Sequence, residues 1–165
     1  MLVLGLDPGI ATTGYGLVRL TGNRLTGEAF GTVRTPAGQA LPGRLLSLHR
    51  ELASICGRYK PDAAAMEELF FAKNARTAMV VGQARGVALL ALAEAGLSVA
   101  EYTPLQVKQA VVGYGRAEKR QVQEMVRILL GLDKPPQPDD AADALAVAIC
   151  HAHTGAARGR EARGS

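Results

Sequence analysis

The spacing of apolar residues passes from a strand period to a helical one after the first three runs, and that change limits the possible folds more than any other feature. Residues 2–6 form a short apolar run closed by Asp7-Pro8-Gly9, residues 13–20 a second stopped by Thr21-Gly22-Asn23, and residues 28–34 a third closed by Pro36 and Gly38. Short runs bounded by turn residues predict three strands in an antiparallel meander. From Leu45 the period becomes helical: Leu45, Leu48, Leu52, Ile55 and Tyr59 share one face, and the helix is over by Pro61. Residues 62–67 contain Ala63-Ala64-Ala65-Met66, whose alanines suit a helix but whose length and position suit a buried parallel strand.

Strands and helices alternate from there on. Asn74 caps a helix over 75–95, and residues 97–102 form a short strand. Thr103, Pro104 and Gln106 supply an N-cap, an N1 proline and an N3 glutamine for a helix ending near Gly113. A helix over 117–130 stops at Gly131, and after a proline-rich connector at 133–138 the last helix starts at Asp139 or Asp140 and runs through Cys150. A meander followed by alternating strands and helices predicts a mixed α/β sheet.

With 165 residues there is room for one domain and not for two catalytic lobes. Residues 1–153 are expected to form it, with 154–165 as a Gly/Arg-rich tail lacking structure. The tail holds Arg158, Arg160 and Arg163 against Glu161, and so carries +2 of the net charge of +4. What remains permits an anionic partner without establishing one, because a local patch matters more than a sum. Cys56 and Cys150 have no partner at metal-ligand spacing and read as small core residues. The N-terminus carries no basic leader, and the longest apolar stretch, 87–93, is too short to span a bilayer. A cytoplasmic location, with no membrane partner, is expected.

Four acidic residues stand out by position. Asp7 ends a strand before Pro-Gly; alone, ordinary turn chemistry explains it. Glu67 ends the fourth strand, where open α/β sheets carry ligand sites, although a solvated strand end is common. Asp140 and Asp143, at i and i+3, put two carboxylates on one helix face. Dipole complementation explains an acid at the helix start, and Asp139 is assigned to that capping role. It does not explain Asp143 inside an Ala-Leu-Ala-Val-Ala-Ile run. Carboxylates gathered together repel unless a divalent cation neutralises them, and an oxygen-only donor set suits Mg²⁺ or Mn²⁺. Two such ions can drive in-line hydrolysis of a phosphodiester. Glu68 must point elsewhere, and His49, His151 and His153 read as packed or solvated.

Leu4-Gly5-Leu6-Asp7-Pro8-Gly9, Met66-Glu67-Glu68-Leu69-Phe70, Gly82-Gln83-Ala84-Arg85-Gly86 and Asp140-Ala141-Ala142-Asp143-Ala144-Leu145-Ala146 follow one another in an order that resembles the RuvC family of Holliday junction resolvases. The resemblance spans about residues 3–151 and includes Gln106-Val107-Lys108-Gln109 and Ala117-Glu118-Lys119. It implies an RNase H-like fold with a five-stranded mixed sheet, three strands antiparallel and then parallel ones, flanked by helices. Asp7, Glu67, Asp140 and Asp143 would be the catalytic acids and the ligands of two Mg²⁺ or Mn²⁺ ions per subunit. Lys108 and Lys119 would contact DNA, and Phe70 would engage bases at the junction centre. A homodimer would nick opposed strands of a four-way DNA junction, leaving 5′-phosphate and 3′-hydroxyl ends, alongside the RuvA and RuvB branch-migration proteins. Without that resemblance both lysines would read as solvated surface, and one of Phe70-Phe71 as core.

Two other functions fit some of these features. Gly5-Leu6-Asp7-Pro8-Gly9 with Thr12-Thr13-Gly14 is similar to the phosphate loop of actin-like ATPases, but those bind nucleotide between two lobes. A junction-binding protein that does not cut would share the fold. It would gain nothing from holding repelling acids against a phosphate backbone.

Overall fold

The structure, a computed structural model, describes residues 1–68 and 74–161, with residues 156–161 described by their backbone. Strands β1 (Leu2–Asp7), β2 (Thr12–Thr21) and β3 (Arg24–Arg34) form the antiparallel meander. Helix α1 (Leu41–Tyr59) leads to β4 (Ala63–Glu67), and α2 (Ala75–Glu94) to β5 (Val99–Tyr102). Helices α3 (Pro104–Val112), α4 (Lys119–Leu130) and α5 (Asp139–Glu161) complete the chain. The sheet order is β3-β2-β1-β4-β5, with β4 parallel to both neighbours. This is the five-stranded mixed sheet expected from the sequence.

Each side chain's direction follows from the strand period of two. Leu2, Leu4 and Leu6 of β1 and Ala64 and Met66 of β4 pack toward α1 and α2, among Leu48, Leu52, Ala84, Ala88 and Leu92. Val3 and Ala65 face the other way, toward α5 and its Leu145, Ala148 and Ile149. Gly5, Asp7 and Glu67 belong by alternation to the α5 side. The alanines of β4 are small because helices cover both faces of that strand.

Several boundaries differ from the pattern. Helix α1 begins at Leu41 rather than Leu45, because Pro42 sits in its first turn where a missing N–H is harmless. Strand β3 begins at Arg24 because the turn at Gly22, with φ 61°, lets pairing start at Thr21↔Arg24. Helix α4 starts at Lys119, with Glu118 as its cap. Helix α5 continues to Glu161, where an unstructured tail from Thr154 was expected. Ala152 is fully buried and the Thr154 hydroxyl donates to the Cys150 carbonyl at 2.9 Å, so core contact carries the helix past the last apolar run. Two of the caps named from sequence make the expected side-chain bonds: Asn74 accepts from the Arg76 N–H, and Thr103 and Gln106 form a reciprocal box.

By length and composition α2 would suffice to cross a bilayer, although no run within it is long enough alone. Here it lies on the sheet through Ala84, Arg85, Ala88, Ala91 and Leu92. Cys56 and Cys150 are free and buried, as the sequence implied.

Candidate active site

Three features of local sequence bring the acids together. Asp7 ends β1 opposite Gly14 of β2. Gly14 has no side chain, and α5 comes so close there that a Cβ would lie 1.9 Å from the Asp140 carbonyl oxygen. Gly5 permits the same approach one turn further on, where a Cβ would lie 2.0 Å from the Ala144 carbonyl oxygen. A glycine-floored groove therefore seats the first turns of α5 beside Asp7. Parallel pairing of Leu6 with Met66 brings Glu67 alongside. The turn after Asp7 is fixed by Thr13, a fully buried residue whose hydroxyl donates to the Gly9 carbonyl at 2.7 Å and accepts from the Gly9 N–H at 3.2 Å.

Asp7, Glu67 and Asp143 line one cavity of ≈ 260 Å³ together with Lys108 of α3 and Lys119 of α4. Val107, Val122, Ala146 and Val147 form its apolar wall. Asp140 stands outside that lining, near enough for its charge to act on both Asp7 and Asp143. A second cavity of ≈ 260 Å³ shares Asp7 and Glu67 and adds Pro8, Glu68, Val81 and Arg85. Glu68 thus lines this second cavity beside Asp7 and Glu67 and is not part of the first. The larger cavity of ≈ 420 Å³, between the C-terminal ends of α1 and α2, holds none of these acids.

The electrostatics are those of acids awaiting a positive charge. Burial, reinforced by Asp143, Asp140 and Glu67, raises the Asp7 pKa to about 7, with Lys119 opposing. Burial and Asp143 raise Glu67 while Lys108 opposes. Asp143 is also raised by burial, and the Lys119 ammonium partly offsets this. Burial would lower Lys119, but Asp143 and Asp139 outweigh it and hold its pKa above the usual lysine value. The Lys119 Nζ lies 3.3 Å from Asp139 Oδ2 and 3.5 Å from Asp143 Oδ2. Among the described residues no three His, Cys, Asp or Glu side chains are drawn tightly enough to hold a metal ion as they stand. The donor set nonetheless fits a hard divalent cation: it is carboxylates only, and burial makes Asp7, Glu67 and Asp143 costly to ionise beside one another.

Asp139 stands in the first turn of α5, where an acid complements the helix dipole as expected, and it has a second role. Its carboxylate accepts from Gln123 Nε2 at 3.0 Å and pairs with Lys119, tying α5 to α4. Phe70 lies outside the described residues. His49 pairs with Glu94, His151 with the Tyr102 hydroxyl, and His153 with the Ala110 carbonyl, all away from the acids. Sequence reasoning missed Thr13 and Arg85. Arg85 donates from Nη1 to the Glu67 carbonyl at 2.7 Å and pairs through Nη2 with Glu101 at 2.7 Å. The available signal was a lone arginine in the middle of an apolar helix.

Carboxylates at the ends of β1 and β4 and on the first turns of α5, in one cavity with two lysines, define a nuclease of the RNase H-like class. Comparison with known proteins narrows the class to a family. The family described as "Crossover junction endodeoxyribonuclease RuvC" matches residues 3–151. The RuvC of Heliobacterium modesticaldum is 61% identical over 154 residues, covering 93% of this chain and 95% of that protein. The Thermus thermophilus RuvC structure superposes with a TM-score of 0.89 at 39% identity, covering 95% of this chain and 96% of the other. The structure of T. thermophilus RuvC in complex with Holliday junction substrate gives 0.88 at 37% identity, with the same coverage. The chain belongs to the RuvC family of crossover junction endodeoxyribonucleases and is an endonuclease.

Proposed function

We propose that this chain resolves four-way DNA junctions as a homodimer, by metal-dependent hydrolysis of one phosphodiester in each of two opposed strands of like polarity. The observation that carries the reading is the acid-and-lysine cavity built by β1, β4, α3, α4 and α5. Asp7, Glu67, Asp140 and Asp143 would hold Mg²⁺ or Mn²⁺, two ions per subunit. Bound there, the ions would act as Lewis acids toward phosphate and make water a better nucleophile.

The chain's own residues supply binding and orientation. Lys108 and Lys119 line the cavity with the acids, Lys119 within 3.5 Å of Asp143, and would hold phosphate oxygens and offset the repulsion between DNA and carboxylates. The apolar wall of Val107, Val122, Ala146 and Val147 displaces water and strengthens each charge interaction. In-line attack by water on phosphorus breaks the bond to the 3′ oxygen, leaving a 5′-phosphate and a 3′-hydroxyl. Phe70, three residues past Glu67, would stack on bases at the junction centre, a contact worth about 1–3 kcal/mol.

The dimer would form through α2. Met79 and Leu90 are exposed on it, and a methyl added at Gly82 or Gly86 would meet nothing within 4 Å. An apolar stripe with open glycines supports close approach of a second helix. RuvA and RuvB would act with the dimer on the same junction, in the cytoplasm.

The test is cleavage of a labelled synthetic four-way junction beside a linear duplex of the same sequence, with Mg²⁺, with Mn²⁺ and with chelator. Paired, metal-dependent nicks confined to the junction are expected, absent in Asp7→Asn although junction binding persists. Binding without nicks in either metal would make the protein a junction-binding module instead.

A further inference from the structure

Arg85 is an unusual residue where it stands. Its neighbours on the sheet-facing side of α2 are Ala84, Ala88, Ala91 and Leu92, and its side chain is 11% exposed. A buried guanidinium is expensive to desolvate, and an apolar side chain of like size often serves stability better. The retained charge therefore calls for an explanation in its contacts.

Those contacts converge on the residue after Met66. Backbone groups along a strand point alternately to its two neighbours, and the N–H groups of Ala64 and Glu68 both reach β5, donating to Ser98 and Tyr102. The Glu67 carbonyl therefore turns toward β1. Extending the β1–β4 register by one step, from Leu6↔Met66, aims that carbonyl at the backbone nitrogen of residue 8. Residue 8 is a proline and has no N–H to give. Arg85 Nη1 supplies the missing donor at 2.7 Å. Its Nη2 lies 2.7 Å from Glu101 Oε1 but off the direction of a hydrogen bond, so charge carries that attraction. Glu101 pairs with Met66 in the β4–β5 register, which places the anchor directly beside the strand end being held.

We propose that Arg85 and Glu101 form a clamp that positions Glu67: the guanidinium replaces the donor that Pro8 lacks, and Glu101 holds the guanidinium from the neighbouring strand. Arg85 is a positioning residue, acting through the Glu67 backbone. The clamp adds no net charge beside the acids, because Glu101 balances Arg85. It fixes the strand end while Pro8 turns the chain away from β1, so the Glu67 carboxylate keeps its direction toward Asp7 and Asp143. This inference rests on the reading of Glu67 as part of a metal-binding acid cluster.

The test compares Arg85→Met, Arg85→Lys and Glu101→Gln with wild type in four measurements. These are thermal unfolding, Mn²⁺ binding by calorimetry without DNA, junction binding in chelator, and single-turnover junction cleavage at saturating enzyme. Glu101 is 45% exposed, so it can be hydrated when Arg85 is lost, and Arg85→Met is expected to fold. Residues that orient metal ligands typically change affinity or activity by about 10–100-fold when removed, and Arg85→Met is expected to weaken both Mn²⁺ binding and cleavage by about tenfold or more. Junction binding in chelator should stay at the wild-type level. Arg85→Lys keeps one donor and should recover part of both losses, with Glu101→Gln between it and wild type. A folded Arg85→Met that binds Mn²⁺ and cuts like wild type overturns the clamp. So does a loss of cleavage that tracks only the unfolded fraction and is equal in Arg85→Lys. A wild-type chain that binds junctions without cutting would overturn the resolvase reading instead, and the Mn²⁺ titration would still decide the clamp.

Discussion

Glycines serve opposite purposes in the two helical layers of this molecule. On the α5 face a methyl added at Gly14 would collide with the Asp140 backbone, at 1.9 Å from its carbonyl oxygen, whereas on the α2 face Gly82 and Gly86 have nothing within 4 Å. The first face is closed: α5 is buried against the sheet through Ala141, Ala144, Leu145 and Ala148, and α3 and α4 cover it from outside. The sheet is covered on the α1/α2 side as well, where Leu4, Leu6 and Met66 are fully buried, but the outward side of α2 is an open face, with Met79 67% and Leu90 53% exposed along the helix that carries the unfilled glycines. Close packing of interiors transmits small displacements, so the closed face fixes the acids, while the open one is free to meet another surface. Arg85 lies between the two, on the helix of the open face and bonded to a residue of the acid site.

The sharpest way to break the contrast is to add one methyl to each face. Gly14→Ala must push α5 off the sheet at Asp140, because backbone rather than a flexible side chain stands in the way. Overpacking of this kind costs about 1–3 kcal/mol. Displacing the acids by about 1 Å is expected to cost on the order of a hundredfold in junction cleavage. Gly82→Ala should do the reverse for the isolated chain, gaining about 1 kcal/mol of helix propensity. Thermal unfolding and single-turnover cleavage of both variants decide the matter. Wild-type cleavage by Gly14→Ala would show that the acids do not depend on the close seating of α5.

A smaller effect tests the open face. Met79→Glu with Leu90→Glu places charge where a partner helix would lie, forfeiting about 1.5–3 kcal/mol for each large apolar side chain that the dimer buries. Sedimentation should show dimer giving way to monomer, with unfolding of the monomer itself little changed. Junction nicks should then lose their pairing. An unaltered dimer would move the contact elsewhere and leave the exposed stripe without a partner.

Much of this arrangement could be read from the sequence, and what could not has definite causes. The succession of strands and helices, and the strand ends on which Asp7 and Glu67 stand, were legible because period and turn residues are local signals. Alternation alone assigns Asp7 and Glu67 to one face once β1 and β4 are known to be parallel neighbours. The extent of α5 was not legible: nothing local distinguishes Ala152 as buried, and its contact with the core carries the helix past Cys150, the backbone continuing to Glu161. Asp139 was assigned to a cap because position was the only information, whereas Gln123 and Lys119, both on α4, claim its carboxylate through space. Arg85 was visible as the one charge in the middle of an apolar helix, but its role depends on a carbonyl that Pro8 leaves unpaired, and that pairing exists only in the sheet.

The smallest expected effect concerns the charge stored on the closed face when no cation neutralises it. Folding raises Asp7 from 3.8 to about 7, so the folded chain binds a proton more tightly than the unfolded one between these values. The contribution to stability is complete below about pH 4 and is lost as pH rises through about 7. Glu67 and Asp143, also raised, add slopes of the same sign. Asp7→Asn cannot ionise. In chelator the variant should therefore match wild type near pH 4 and unfold at a higher temperature at pH 8. With allowance for water around a partly exposed carboxyl, a gap on the order of 1 kcal/mol corresponds to a Tm rise of about 2–4 °C. Mn²⁺ at pH 8 should narrow or reverse the gap, since a cation stabilises only the chain that retains the full acid set. An equal gap at both pH values would mean that ionising Asp7 costs the fold nothing, and that Lys119 already neutralises the cluster without a metal.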